Sequence, residues 1–329
     1  MVRGGAIGDF ILTLPVFDAL RETYPNAFVG CLAPAGLGGL ALTAGLADEI
    51  QDLDGREWAG FFVSEGSLDP NMVKWLSQFD LVISFLHDPD QVWAGNIKRI
   101  CSARLIQGCA RPSDENNRPA SIILLSALEE IGIYDSDPVP RIEMNTAKSD
   151  CFDLAVHPGS GSELKNWPID KWCEFLDVWL LNNPGRILVV GGEAETRKMS
   201  RIKQSIDPAS ADFLENEPLP EVARALKSSR IFIGHDSGIS HLATALGVPS
   251  VILWGSTNRA VWGPQHQHVR FIQSGGTMDS ITPAAPNKCP VMDLVALIFN
   301  LYACSPNKDL IAFVSAISPS GVEVPCTLM

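Results

Sequence analysis

The chain predicts an α/β protein built from two Rossmann-like halves, and three observations carry that prediction. Short apolar runs, the length of buried strands, alternate with stretches of helical periodicity. The alternation occurs twice, and a polar, proline-containing stretch from Tyr134 to Lys148 separates the two series. Several apolar runs end in small, polar or glycine-rich turns, which is where parallel sheets bind ligands. At 329 residues the chain is longer than one ordinary core supports. The expected domains are residues 1–148, ending in the linker 134–148, and residues 149–329.

In the first half, Phe28 to Leu32, Leu81 to Phe85 and Arg104 to Gln107 read as strands. Phe17 to Tyr24, Asn71 to Phe79 and Ser121 to Ile131 read as helices. Ala35-Gly36-Leu37-Gly38-Gly39 reads as a loop or a frayed helix start. Only Met1-Val2-Arg3 precede the glycine loop Gly4-Gly5-Ala6-Ile7-Gly8, which leaves almost no room for a first strand. Arg3 also stands where a dinucleotide fingerprint G-x-G-x-x-G would have its first glycine, so that fingerprint is broken.

The second half opens with a strand, Leu154 to His157, leading into the polar loop Pro158-Gly159-Ser160-Gly161-Ser162. Lys165 follows within reach. It is either a mobile point charge suited to a phosphate or a solvated surface lysine. Trp167-Pro168 starts the next helix. Arg186 to Val190 is a strand ending at Gly191-Gly192-Glu193, and a carboxylate just past a strand end can hold ribose hydroxyls. Glu193 and Glu195 are both candidates, or either simply favours the next helix N-terminus. In the tail, Val291 to Tyr302 reads as an apolar helix and Leu310 to Ile317 as helix or strand.

The most informative stretch is Ile231 to Thr257, a strand–loop–helix–strand–loop unit. Ile231-Phe232-Ile233 is a strand ended by Gly234 and His235. Ile239 to Leu246 is a helix stopped by Gly247 and Pro249, and Ser250 to Trp254 is the second strand. Ser237 and Gly238 sit at the helix N-terminus, where free N–H groups and the helix dipole favour a phosphate. Asp236 either caps that helix or meets a hydroxyl, such as one on a sugar.

Composition limits the partners. Hydrophobic residues make up 46% and charged residues 19%, which is globular. The net charge of −13 argues against nucleic acid as a general partner. It leaves room for a local basic patch that would suit an anionic acceptor. Lys98, Arg99, Arg104, Arg111 and Arg118 are the densest basic region of the first half. Arg111 and Arg118 are the best acceptor candidates because they sit in a loop. No apolar run approaches the length of a membrane-spanning helix, and no signal peptide opens the chain. The 8 cysteines contain no C-x-x-C pair, which fits reduced, cytosolic thiols. His266-Gln267-His268 reads as a solvated loop rather than a metal site, since no Cys or carboxylate cluster accompanies it.

Three segments together resemble glycosyltransferase family 9, the ADP-heptose:lipopolysaccharide heptosyltransferases. They are Gly4 to Asp9 with Leu12-Thr13-Leu14-Pro15, then His157 to Ser160 with Lys165 and Trp167-Pro168, then DSGxSHLAxALGxPxVxLxGxT from Asp236. The resemblance runs from the first residues to Thr257; members of the family carry several apolar residues where this chain has Met1-Val2-Arg3. It implies a GT-B-like α/β architecture, two Rossmann-like domains facing across a cleft, and an inverting glycosyltransferase with Asp9 as general base. Donor binding would involve Ser160, Gly161, Lys165, Glu193, Asp236, Ser237, Gly238 and His241. The implied partners are a nucleotide-diphosphate sugar, ADP-heptose in the family, and a glycolipid or oligosaccharide acceptor of the lipopolysaccharide core. No cofactor and no metal are expected. The implied location is cytoplasmic, at the inner face of the membrane, with peripheral membrane contact. A sugar-nucleotide epimerase of the same architecture and a non-catalytic sugar-nucleotide-binding protein are the alternatives. An NAD-dependent dehydrogenase is opposed by the broken glycine fingerprint.

Overall fold

The computed structural model describes residues 1–144, 151–183, 185–274 and 277–281. Met1–Ile281 forms one compact unit holding two parallel sheets. In the first half the elements are α1 (Ile7–Ile11), α2 (Leu14–Thr23), β1 (Gly30–Ala33), α3 (Ala35–Thr43) and β2 (Glu49–Asp52). They continue as α4 (Pro70–Leu76), β3 (Leu81–Ser84), α5 (Val92–Ile100), β4 (Arg104–Gln107) and α6 (Ala120–Leu125).

The three residues before the glycine loop do form a strand position. Val2 bridges in parallel to Leu32 on one side and to Ser84 on the other. The Val2 N–H donates to Ile83 and the Phe85 N–H to Val2, at 2.8 and 2.9 Å. Arg3 donates to Leu32 and Leu32 to Met1, both at 2.9 Å. So short a segment suffices because a strand lies on each side, and both backbone groups of Val2 find a partner. The sheet therefore reads β2–β1–Val2–β3–β4, with Val2 buried at its centre.

Glycines mislead at α3, which is a full helix rather than a loop. Its small residues act as packing surface. A Cβ on Gly38 would already lie 3.4 Å from Ile50, and Gly36 and Gly39 face Leu219 and Pro220 of the second half. Glycine costs about 1 kcal/mol against alanine in a helix interior, and close approach of neighbouring elements offsets it here.

The second half contains β5 (Leu154–Val156), α7 (Ile169–Asn182), β6 (Ile187–Gly191), α8 (Thr196–Ser205), β7 (Ala211–Glu215) and α9 (Leu219–Lys227). It ends with β8 (Phe232–His235), α10 (Gly238–Ala245), β9 (Ser250–Trp254), α11 (Arg259–Trp262) and β10 (Val269–Gln273). All six strands are parallel, in the order β10–β9–β8–β5–β6–β7. That is the doubly wound order, with its reversal between β5 and β8. In the first sheet the reversal falls between Val2 and β3. Ligand-binding crevices form at such reversals, so the fold places the glycine loop, the Pro158–Ser162 loop and the Asp236 turn where ligands are expected.

Two further boundaries differ from the sequence reading. Gly234 and His235 belong to β8, and the helix expected to Ile131 tightens into a 3₁₀ turn from Ser126. The end of the expected linker, 145–148, and both expected tail elements, Val291 to Tyr302 and Leu310 to Ile317, lie outside the described residues.

One apolar cluster joins the halves. Phe10, Leu14, Phe17 and Leu40 are buried with Leu188, Val222, Leu226, Ile239 and Leu242. Apolar burial contributes roughly 25 cal/mol per Å², so the two sheets are held together by the same force that builds each. Hydrogen exchange checks the first strand position. The amides of Val2, Leu32 and Phe85 should exchange as slowly as those of β8 and β9. Fast exchange at Val2 and Phe85 would contradict the five-position sheet.

Candidate functional site at the meeting of two turns

Ser237, not Asp236, caps α10: its Oγ accepts the Ser240 N–H at 3.3 Å. This removes the capping role offered for Asp236. Its carboxylate Oδ2 instead receives the Lys165 ammonium at 2.7 Å and the Thr257 hydroxyl at 2.6 Å. The three residues come from the loops after β5, β8 and β9, so one carboxylate oxygen ties three strand ends together. Lys165 is therefore not a solvated surface lysine. Asp236 is itself only 8% exposed.

Buried histidines fix the loop after β5. The Trp167 N–H donates to Nε2 of His235 at 2.8 Å, so the ring proton sits on Nδ1, which donates to the Gly159 carbonyl at 3.2 Å. Burial drives the His235 pKa down to about 3, so the ring stays neutral. Ser160 uses its hydroxyl within the loop, donating to Ser162 O at 2.8 Å and accepting the Ser162 N–H at 3.3 Å. Gly161 is exposed, with open space where a side chain would be. Glu193 lies exposed just past β6. Glu195 is buried and accepts the Gly192 N–H at 2.9 Å, a local structural task that separates the two glutamates.

Opposite these loops, Asp9 sits on the first turn of α1 with its side chain 30% exposed. Its Oδ2 accepts the Ala6 N–H at 3.2 Å. Gly5, at φ +96°, takes a left-handed conformation that only glycine adopts freely. The residue that sequence reasoning missed is Arg3. Its buried guanidinium donates to the carbonyls of Phe85 at 3.2 Å, Ala110 at 2.7 Å and Asp9 at 3.3 and 3.4 Å, and lies 3.8 Å from Asp9 Oδ1. The signal was present as an arginine inside a stub of otherwise apolar and glycine residues.

The two turns touch. A Cβ on Gly238 would lie 2.6 Å from Ile7 Cβ and 2.9 Å from the Gly8 nitrogen, and one on Gly8 would lie 3.4 Å from the His241 ring. His241 is buried between them. Burial lowers its pKa, opposed by the carboxylates of Asp236 and then Asp9. The site thus joins an open helix N-terminus, a partly exposed carboxylate and a neutral imidazole. Free N–H groups at such a terminus suit an anion.

Arg111 and Arg118 are exposed on the loop between β4 and α6. Ala110, held by Arg3, sets Arg111 one residue from the Asp9 network. The loop is also tied to the second half: Asn258 donates to Asp114 O at 2.6 Å and to Asn117 Oδ1 at 3.0 Å, and the Trp262 indole N–H to the Asp114 carboxylate. Arg99 and Arg104 are engaged elsewhere, with Gly66 O at 2.8 Å and Glu130 O at 2.5 Å. His266 and His268 correct the solvated-loop expectation. Both are half-buried, and each ring's Nε2 is paired with a carbonyl, Pro140 at 2.7 Å and Thr244 at 3.1 Å. Among the described residues no group of three or more His, Cys, Asp or Glu could hold a metal ion.

Substituting Gly238→Ala checks this geometry. The added methyl must push α1 away, and overpacking of this kind costs about 1–3 kcal/mol. The melting temperature should fall; an unchanged value would contradict the close approach.

Comparison with known proteins gives the same picture. The family model for glycosyltransferase family 9 (heptosyltransferase) matches residues 134–286. Lipopolysaccharide heptosyltransferase 1 of Salmonella typhimurium is 33% identical over 119 residues, which is 36% of each chain, so that alignment spans about a third of the relative. Lipopolysaccharide heptosyltransferase 3 of Escherichia coli is 23% identical over 297 residues, covering 80% of this chain and 83% of that protein. Among solved structures, the E. coli heptosyltransferase WaaC with ADP superposes with a TM-score of 0.70 at 17% identity, covering 90% of this chain and 98% of that one. That likeness shows the shared GT-B fold of two Rossmann-like domains. Over residues 134–286 the chain is thus similar to glycosyltransferase family 9, the heptosyltransferase family.

Proposed function

We propose that the protein is an inverting transferase that moves a heptose from ADP-heptose to a sugar acceptor of the lipopolysaccharide-core type. The observation that carries this reading is the contact of the two turns. It brings the α1 turn that carries Asp9 against the N-terminus of α10, whose N–H groups would suit an anion. The WaaC neighbour was solved with ADP, and ADP is the nucleotide proposed here. Residues 149–329 would bind the donor and residues 1–148 the acceptor, with the boundary in 134–148.

In this reading the diphosphate lies on the Ser237 and Gly238 N–H groups and the loop at Ser160 and Gly161, with Lys165 as its cation. Glu193 takes the ribose hydroxyls and Asp236 a hydroxyl of the transferred sugar. His241 supports the wall between donor and base. The acceptor hydroxyl attacks the anomeric carbon and gives its proton to Asp9. The diphosphate leaves with added negative charge, which the N–H groups and Lys165 stabilise electrostatically. These groups do the work that a metal ion would otherwise supply, so we propose no metal requirement. Arg111 and Arg118 would meet an anionic acceptor. Among the described residues no helix is long and apolar enough to cross a membrane. The proposed location is the cytoplasmic face of the inner membrane, with peripheral contact through the acceptor.

The test is release of ADP from ADP-heptose in the presence of a heptose-accepting lipopolysaccharide core, followed for wild type and Asp9→Asn. The variant keeps the shape but cannot take the proton, so turnover should fall by roughly 10²–10⁴-fold with donor affinity near normal. Wild-type turnover in the variant would remove Asp9 as the base. Release of ADP without formation of a glycosylated acceptor would overturn the transfer reading.

A further inference from the structure

We infer that Asp236 competes with the donor's diphosphate for Lys165 and thereby drives release of the spent nucleoside diphosphate. The inference rests on the donor-site reading above and goes beyond it. In the structure the lysine is engaged, 2.7 Å from Asp236 Oδ2. The neighbouring cation on the other side of the loop, Lys198, is engaged as well, 2.5 Å from Glu163. A diphosphate arriving on the Ser237–Gly238 N–H groups therefore meets two ammonium groups that are both already paired. To gain the full charge of Lys165 it must draw the ammonium away from a carboxylate that is largely removed from water.

That exchange leaves Asp236 without its cation, and a buried carboxylate in that position is costly unless other donors satisfy it. Thr257 supplies one, at 2.6 Å, and holds the carboxylate in place throughout. A nucleotide sugar supplies more, because the hydroxyls of its sugar can donate to the oxygen that Lys165 vacates. A nucleoside diphosphate lacks that sugar, and in this reading its ribose hydroxyls are held at Glu193. The same carboxylate thus tolerates the donor and opposes the product. Once the sugar has left, Asp236 regains Lys165 and the diphosphate loses its cation. One ammonium shared between two anions makes the site selective for the intact sugar nucleotide.

Calorimetric titration of ADP and of ADP-heptose into three proteins tests this: wild type, Asp236→Asn and Lys165→Ala. Asparagine keeps the shape and the acceptor for Thr257 but releases Lys165. Asp236→Asn should bind ADP roughly tenfold tighter, the equivalent of one charge-assisted contact. It should gain less, or lose, for ADP-heptose, so the preference for donor over product falls. Lys165→Ala should weaken both ligands. If Asp236→Asn binds ADP no tighter while Lys165→Ala binds it more weakly, the competition is wrong and the donor site stands. If Lys165→Ala leaves ADP affinity unchanged, the donor-site reading itself fails and the competition with it. Melting temperatures report whether each variant is folded. Asp236→Ala, which frees Lys165 with a smaller side chain, is read in the same way should the asparagine variant unfold.

Discussion

The close approach of Gly8 and Gly238 is the constraint on which the site depends. Each glycine lies at the start of a short helix, and each helix follows the strand position where its sheet reverses direction. Any side chain on Gly238 would meet the backbone of Gly8 at 2.9 Å. With both positions bare, a carboxylate of one sheet and a helix N-terminus of the other share one wall. The apolar cluster that runs from Phe17 to Leu242 holds that approach in place. Packing in the core and placement of the reactive groups are thus one problem, solved by the same contacts.

Polar groups beneath the site are satisfied in ways that limit their freedom. Arg3 spends its guanidinium on backbone carbonyls from three separate segments, which fixes the Asp9 turn relative to β3 and to the loop after β4. His235 does the equivalent for the Gly159 loop, with a tautomer dictated by its two backbone partners. Leaving any of these buried groups unpaired would cost about 1–3 kcal/mol, so the loops have few alternatives. Against that rigid background the Lys165–Asp236 pair stands out. It is a charged contact between two loop side chains, open to competition from an anionic ligand.

The fold was legible in the sequence because its signals are local. Apolar runs such as Ser250 to Trp254 and the small turns that end them need only their own residues to be read. The turns at Gly8, Ser160 and Asp236 were legible for the same reason, helped by the family resemblance. What failed was everything set by tertiary contact. Gly36 and Gly39 looked like helix breakers until Leu219 and Pro220 stood beside them. Val2 looked too short for a strand until a neighbour lay on each side. His266 and His268 looked solvated because nothing nearby in sequence announces the Pro140 and Thr244 carbonyls. Lys165 and Asp236 were both picked out, but as independent ligand contacts. Their pairing joins residues 71 positions apart and has no local signature.

The central claim is that one site, formed where the two turns meet, holds the nucleotide next to Asp9. A crystal structure of the protein with ADP tests it most directly. The account predicts the diphosphate within hydrogen-bond distance of the Ser237 and Gly238 N–H groups, the ribose near Glu193 and Asp9 facing the free end of the β-phosphate. ADP bound away from the α10 N-terminus, or bound there with Asp9 pointing elsewhere, would contradict it.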